Sequence, residues 1–477
     1  MERINTWNTY DLELQKKCNE FADGYKQFIS DAKTEREFTD EAVNLAEKYG
    51  FRELSALIDS GEKLKAGDKV YSVWMNKSVV LFRIGEEPFE HGVNILGAHI
   101  DSPRMDIKQN PLYEAGGLAM LDTHYYGGIK KYQFVALPLA IHGVIVKKNG
   151  ETAILNVGED PDDPVFFVSD LLIHLASEQM GKRADKVIDG EALDVIVGNK
   201  PVIINAKSKA GSKDVKPQDK EDVKKAVLSI LKEYYGITED DFESAELEVV
   251  PAGRARDAGF DRSMILGYGQ DDRVCAYPSM QAILDEEDIR RTSVCLLVDK
   301  EEIGSVGATG MTSHFFENAM AEVMNLCGDY SELKLRRCLA NSCMLSSDVS
   351  AGFDPTYKAC FDDKNSAFLG CGMVFNKFTG ARGKSGSNDA NAEYIAHLRA
   401  IFDEEDICTQ TAELGKVDVG GGGTIAYILA RYGMNVIDSG VAVLNMHAPF
   451  EATSKADIYE AYRAYRAFLR KASLRNE

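Results

Sequence analysis

The spacing of apolar and polar positions changes character twice along the chain. In the first part, residues 7–33 and Phe38–Phe51 carry apolar residues at helical spacing. In the second of these, Ala42, Val43, Leu45 and Ala46 share a face, Thr39 can cap the start, and Gly50 ends the helix. Tyr71–Ile84 alternates as a strand or hairpin does. Val93–His99 reads as a short buried strand ending at a histidine, and Ile100–Asp106 as a polar loop broken by Pro103. From 112 to 262, strand-like pieces (Phe134–Val146, Glu151–Val157, Asp194–Ile204) alternate with Gly, Asn and Asp turns, which predicts an inserted β-rich domain. Within it the polar, low-complexity stretch 206–222 predicts a mobile loop, and Val223–Tyr235 a helix.

After Gly267 a βα rhythm takes over. It comprises helix Arg273–Leu284, strand Val294–Val298, helix Phe315–Cys327, strand Leu339–Leu345 and helix Asp389–Phe402 with Asn388 as cap. Strand Ile407–Thr411, helix Thr424–Tyr432, strand Val436–Leu444 and helix Asp457–Leu469 follow, the last with Ser454 and Asp457 placed as a capping box. The expected class is α/β: a mostly parallel sheet flanked by helices, built from 1–111 and 263–477 and interrupted by the insertion 112–262.

The strand Val294–Val298 organises the rest. It is continuously apolar, as a strand is when both its faces are covered. It ends in an acidic cluster, Asp299, Glu301 and Glu302, where open α/β sheets bind ligands. Adjacent carboxylates there repel unless a positive group joins them, and a divalent metal is the usual partner; a solvated acidic turn is the plainer account. Four other segments share the property of following a strand or opening a helix while carrying carboxylate or imidazole. They are His99–Asp101, Gln270–Arg273, Ser346–Asp348 and Asn445–His447. Each has a simple reading alone, such as a packed histidine, an N-cap or an Asx turn. Together, at one sheet edge, they suggest a metal centre. If His99 and His447 each serve one ion, Glu302 and Asp348 add terminal carboxylates and Asp271 bridges, two divalent cations leave about one positive charge, which a hydroxide neutralises. Glu301 is then free to act as general base, and Asp101 to hold the other nitrogen of the His99 ring. Mixed imidazole and carboxylate donors suit zinc better than magnesium, with cobalt and manganese as alternatives.

Length and charge narrow the class. A chain of 477 residues predicts two or three structural units. Its net charge of −21 argues against nucleic acid and anionic membranes as partners. Nine cysteines with no CxxC pair indicate neither a disulfide framework nor a zinc ribbon. The start, MERINTWNTYDLELQKK, lacks the apolar core of a signal peptide, so cytoplasm is the expected compartment.

The segments GAHIDSPRMD, GYGQDDRVCAY, DKEEIGSVGATG, SSDVSAG and NMHAPFE, in that order, resemble the motif set of the aspartyl aminopeptidase family of two-metal peptidases, which includes the vacuolar aminopeptidase. The resemblance spans nearly the whole chain. It implies two zinc ions on His99, Asp271, Glu302, Asp348 and His447, with Asp271 bridging, Glu301 as base and Asp101 orienting the imidazole. It implies that the insertion serves dimer contacts within a large homo-oligomer, commonly a tetrahedral dodecamer. It also implies that His174, in DLLIHLAS, reaches a neighbouring subunit's active site and helps hold the tetrahedral intermediate. Taken without the family, a histidine in such an apolar stretch reads as a buried structural one.

The expected reaction is removal of N-terminal residues from peptides, the substrate's free α-amine serving as the second metal's ligand. The basic, Gly-rich loop Asn376–Gly386 offers Lys377, Arg382 and Lys384, with backbone amides, to an acidic substrate side chain, or is an ordinary solvated loop. Acidic and neutral, leucine-like preferences both stay open. Two other accounts compete: a dipeptidase, carboxypeptidase or deacylase on the same scaffold, and a catalytically idle assembly or cargo protein.

Overall fold

The structure, a computed structural model, describes residues 3–201 and 222–474. It divides into two compact units, Met1–Ser102 with Arg254–Glu477, and Pro103–Gly253. The division falls at 102/103 and 253/254 rather than at 111/112 and 262/263. The reason is local: the expected loop Ile100–Asp106 is short, and a long strand, Arg104–Ala115, begins directly after Pro103 and belongs wholly to the second unit.

The first unit is built on a nine-stranded sheet. In chain order its strands are β1 (Arg52–Glu53), β2 (Lys69–Trp74), β3 (Ser78–Arg83), β4 (Asn94–His99), β5 (Ser293–Val298), β6 (Cys343–Ser347), β7 (Met373–Asn376), β8 (Thr409–Thr411) and β9 (Asn435–Gly440). Their order across the sheet is β1-β2-β3-β5-β4-β6-β9-β7-β8. The central strands β5, β4, β6 and β9 run parallel, whereas β3 and β7 pair antiparallel against them. The unbroken apolar run of β5 now has its cause. Cys295 and Leu297 enter one core, with the helices Leu12–Asp31, Gln270–Asp285 and Lys455–Lys471. Val294, Leu296 and Val298 enter another, with Phe315–Leu326 and Glu332–Ala340. Truncating one such leucine to alanine removes about 2–5 kcal/mol.

Several boundaries moved because the competing cap or pairing is better satisfied elsewhere. Thr34, not Thr39, caps the second helix, in a reciprocal capping box with Glu37; Thr39 is buried inside the helix. Asn391, not Asn388, caps Ala392–Glu404. The stretch read as strand Leu339–Leu345 is divided between helix Glu332–Ala340, capped by Ser331, and β6. Val436–Leu444 bends into two strands, β9 and Ala442–Leu444, the latter in a separate five-stranded sheet. Asp457 makes no capping box: its carboxylate accepts from Gly370 and Gly372 backbone N–H groups, each at 2.7 Å.

The second unit is β-rich, with a seven-stranded sheet, antiparallel throughout, and the helix Asp222–Tyr235. The loop read at 206–222 lies, up to residue 221, outside the described residues. Among the described residues no helix is long and apolar enough to cross a membrane.

Candidate metal centre

The parallel register of β4 and β5 pairs His99 with Val298, so the imidazole stands beside the acidic turn that follows β5. That turn begins with Lys300 in left-handed backbone (φ 70°) and coils as Glu301–Ile303. Asp348 follows β6, and His447 follows the strand Ala442–Leu444 through another left-handed pair, Asn445 (φ 62°) and His447 (φ 65°). Non-glycine residues held in this region cost about 1–3 kcal/mol each and cluster where function demands the geometry. Asp271 and Asp272 open the helix Gln270–Asp285 with non-helical backbone, and the peptide bond between them is cis.

These loops converge. Donor atoms of His99, Asp271 and Asp348 lie within 4.8 Å of one another, as do those of Asp271, Glu302 and His447, and of His99, Glu301 and Glu302. Asp271 joins the first two groups: its Oδ1 is 3.3 Å from His99 Nε2, and its Oδ2 is 3.1 Å from His447 Nε2. Glu302 Oε1 is 3.6 Å from His447 Nε2, and Glu301 Oε2 3.9 Å from His99 Nε2. His99 and Asp271 are buried, with side-chain exposures of 1% and 5%, whereas His447 at 34% and Glu301 at 16% mark the side open to solvent.

The donor set fits a divalent cation. Asp101 holds His99 Nδ1 at 3.2 Å, so Nε2 presents a lone pair. That lone pair faces a carboxylate oxygen at 3.3 Å, yet His99 Nε2, Asp271 Oδ1 and Glu302 Oε1 are all buried without a hydrogen-bond partner. Acceptors facing acceptors in a buried site call for positive charge between them.

The sequence profile described as Aminopeptidase I zinc metalloprotease (M18) matches residues 28–469. The chain belongs to the M18 family. A probable M18 family aminopeptidase 1 of Clostridium acetobutylicum is 60% identical over 468 residues, 98% of each chain. The crystal structure of the M18 aminopeptidase from Thermotoga maritima, 42% identical, superposes with a TM-score of 0.91 over 99% of this chain and 100% of that one. The S. cerevisiae mApe1 dodecamer shares the fold at 20% identity, with a TM-score of 0.73 over 94% of this chain and 95% of that one. M18 membership makes this protein a hydrolase, an exopeptidase of the zinc metalloprotease class. It favours an aminopeptidase over the dipeptidase, deacylase and idle-assembly accounts.

Electrostatics in the M18 site follow from burial and crowding. Burial pushes the Glu302 and Asp348 carboxyls well above the usual range, and neighbouring carboxylates, Asp271 among them, add to it. Burial also lifts Glu301 to about 7, with Asp271 and Asp101 adding and His99 opposing. Asp271 goes the other way: burial would raise it, but the His447 and His99 imidazoles hold it below the ordinary carboxylate range. For His99, burial works against the charged form, and Asp101 and Asp271 override it upward, so a proton on Nε2 competes with a cation for the same place between His99 and Asp271.

Two features were missed in the sequence. Asp101 does more than face the imidazole: its Oδ1 accepts from Glu301 N–H at 3.1 Å and its Oδ2 from Glu302 N–H at 3.2 Å, fixing the acidic turn. Glu451, buried, accepts from the N–H groups of His447 (2.8 Å), Gln270 (2.6 Å) and Asp271 (3.1 Å), and so ties together two loops that carry candidate ligands. Its signal was its place in NMHAPFE, four residues past His447.

The remaining candidates stand outside these donor groups. His174 is exposed on a turn of the second unit, against the expectation of burial, because its neighbours Leu171, Leu172, Ile173 and Leu175 are exposed with it. Lys377, Arg382 and Lys384 are exposed in the loop after β7. Lys384 is engaged by Asp389 at 3.1 Å and lies 3.7 Å over the Phe378 ring, whereas Lys377 and Arg382 make no ion pair among the described residues.

Proposed function

We propose that this M18 aminopeptidase binds two zinc ions, His99 and Asp348 serving one, Glu302 and His447 the other, with Asp271 shared. The observation that carries this is the Asp271 carboxylate, whose two oxygens are turned to two different imidazoles at 3.3 and 3.1 Å. Bound zinc would supply Lewis acidity toward the scissile carbonyl and water acidic enough to attack it near neutral pH.

The chain's own residues do the rest. Glu301, at the solvent-facing side and fixed through its N–H by Asp101, takes a proton at its carboxylate from the attacking water and returns it to the leaving amine. Asp101 keeps the proton of His99 on Nδ1 and so keeps Nε2 directed at the centre. Glu451 holds the Asp271 and His447 backbones in register. Substrates are peptides with a free N-terminus, entering on the side where His447 and Glu301 are partly open to solvent.

The working form is a homo-oligomer, a dodecamer built from dimers, in which the Pro103–Gly253 unit makes dimer contacts and His174 reaches a neighbouring subunit's site to steady the oxyanion. Support comes from the exposed Leu171, Leu172, Ile173 and Leu175, since contiguous apolar surface of this kind marks a protein contact, and from the dodecameric mApe1 neighbour. Cytoplasm is the proposed compartment. Lys377 and Arg382 are the cations that would meet an acidic first residue, and the ratio of glutamyl to leucyl turnover decides whether they do.

The test is zinc content per chain, measured with hydrolysis of leucyl-p-nitroanilide beside its N-acetylated form. Wild type is expected to carry two ions and cleave only the free amine, and Asp271→Ala to lose at least one ion. Unchanged zinc in Asp271→Ala overturns the shared ligand, and equal cleavage of the acylated substrate overturns the aminopeptidase mechanism.

A further inference from the structure

Asp438 is a buried carboxylate that the chemistry above does not use. It lies on β9, in register with Ser346 of β6 on one side and Asn376 of β7 on the other. Its Oδ1 accepts from Thr424 Oγ1 at 2.5 Å. Burial lifts its pKa to about 7. The next residue, Ser439, accepts from Asp348 N–H at 3.0 Å, and Asn376 Nδ2 donates to Ser350 Oγ at 2.6 Å, so both β9 and the start of the basic loop lie against the chain just past β6, which carries the proposed ligand Asp348.

Thr424 directly follows the glycine run Gly420–Gly423 and accepts from Ala426 N–H at 3.3 Å as the helix Ala426–Ala430 begins. The run in turn touches the basic loop that follows β7. Gly380 N–H donates to Gly422 C=O at 2.7 Å. Gly421, in left-handed backbone (φ +128°), approaches Gly380 so closely that a Cβ would collide with the Gly380 carbonyl oxygen. The Asp438–Thr424 bond is therefore a polar tie from a central sheet strand to a chain of backbone contacts ending at the loop that carries Lys377 and Arg382.

We propose that Asp438 is a positioning residue, whose bond to Thr424 latches the glycine run, and through it the basic loop, to the sheet end that carries Asp348, as a fixed wall for the first residue of the peptide. The inference rests on Glu301 marking the reaction centre. Because the wall binds substrate and takes no part in proton transfer, breaking the latch changes KM rather than kcat.

The experiment compares Asp438→Ala and Thr424→Val, which break the bond, with Asp438→Asn and Thr424→Ser, which keep an acceptor and a donor. All are assayed as zinc-loaded protein on leucyl-p-nitroanilide, with hydrogen exchange followed at the Gly380 amide. The first pair is expected to raise KM roughly tenfold, the scale of one charge-assisted hydrogen bond, with kcat within about threefold. Gly380 should exchange faster in the same two variants, and the second pair should retain wild-type KM and protection. If Asp438→Ala fails to fold, Thr424→Val, which removes only a hydroxyl, decides. Unchanged KM and Gly380 exchange in Thr424→Val, or a fall in kcat at constant KM, overturns the latch. Retained turnover in Glu301→Gln would instead overturn the base, and the two failures are read on different variants.

Discussion

Asparagine at position 101 separates the charge of the aspartate from its shape. The wild-type carboxylate serves His99 Nδ1 at 3.2 Å, Glu301 N–H at 3.1 Å and Glu302 N–H at 3.2 Å. An amide keeps one oxygen but turns the other into a donor, which then faces one of the backbone N–H groups. One hydrogen bond to a charged group is lost, about 1.5–3 kcal/mol. Partners of this kind behind a metal-binding imidazole typically govern about 10–100-fold in metal affinity or activity, which is about 1.4–2.7 kcal/mol and agrees with the bond count. The Asp101 carbonyl oxygen, 3.1 Å from the same Nδ1, survives the substitution and shields part of the effect. Asp101→Asn should therefore weaken zinc binding by about tenfold, near the low end of that range. Asp101→Ala should do worse, because it leaves both glutamate N–H groups without their acceptor. Competition with a chromophoric chelator measures the affinity, and initial rates on leucyl-p-nitroanilide give kcat/KM. Zinc affinity and kcat/KM both within twofold of wild type in Asp101→Asn would refute the orienting role.

Other outcomes follow from the same geometry. Glu301→Gln should retain zinc and lose about 10²–10⁴-fold in kcat, as removal of a general base does; wild-type turnover would assign the proton transfer elsewhere. His174→Ala should slow catalysis with zinc content unchanged, and unaffected kcat would remove it from any neighbouring site. Thr34→Ala breaks the capping box with Glu37 and should lower stability by about 1 kcal/mol in denaturant melts without altering kcat. An effect on kcat would mean the helix Glu35–Lys48 is coupled to the site.

The sequence made the candidate metal-binding loops visible because each is local: an apolar strand ending in a carboxylate or imidazole needs only neighbouring residues to be read. The continuous run Val294–Val298 likewise reported that both sheet faces are covered. Features that depend on distant partners were illegible. The place of Glu451 in NMHAPFE hinted at its bond to His447, but its bonds to the Gln270 and Asp271 N–H groups, about 180 residues away, are written in no residue-type pattern. Thr34 and Asn391 displaced Thr39 and Asn388 as caps because several capping residues stood close together, and tertiary packing selected among them. His174 misled in an instructive way: apolar neighbours ordinarily mean a core, but here Leu171–Leu175 face outward.

The insertion has a consequence for biosynthesis. His99 and Asp101 are made before Pro103–Gly253, Asp271 directly after it, and His447 and Glu451 near the far end. On the proposed ligand set, His99, Asp271 and Asp348 can meet once the segment around residue 348 has emerged from the ribosome, whereas the Glu302–His447 pair waits for residue 447. β9, too, must be added before β6 has its second neighbour. The proposed pair of ions would therefore load in two stages, the second only after residue 447 has been made, and cleavage that needs both ions would wait with it.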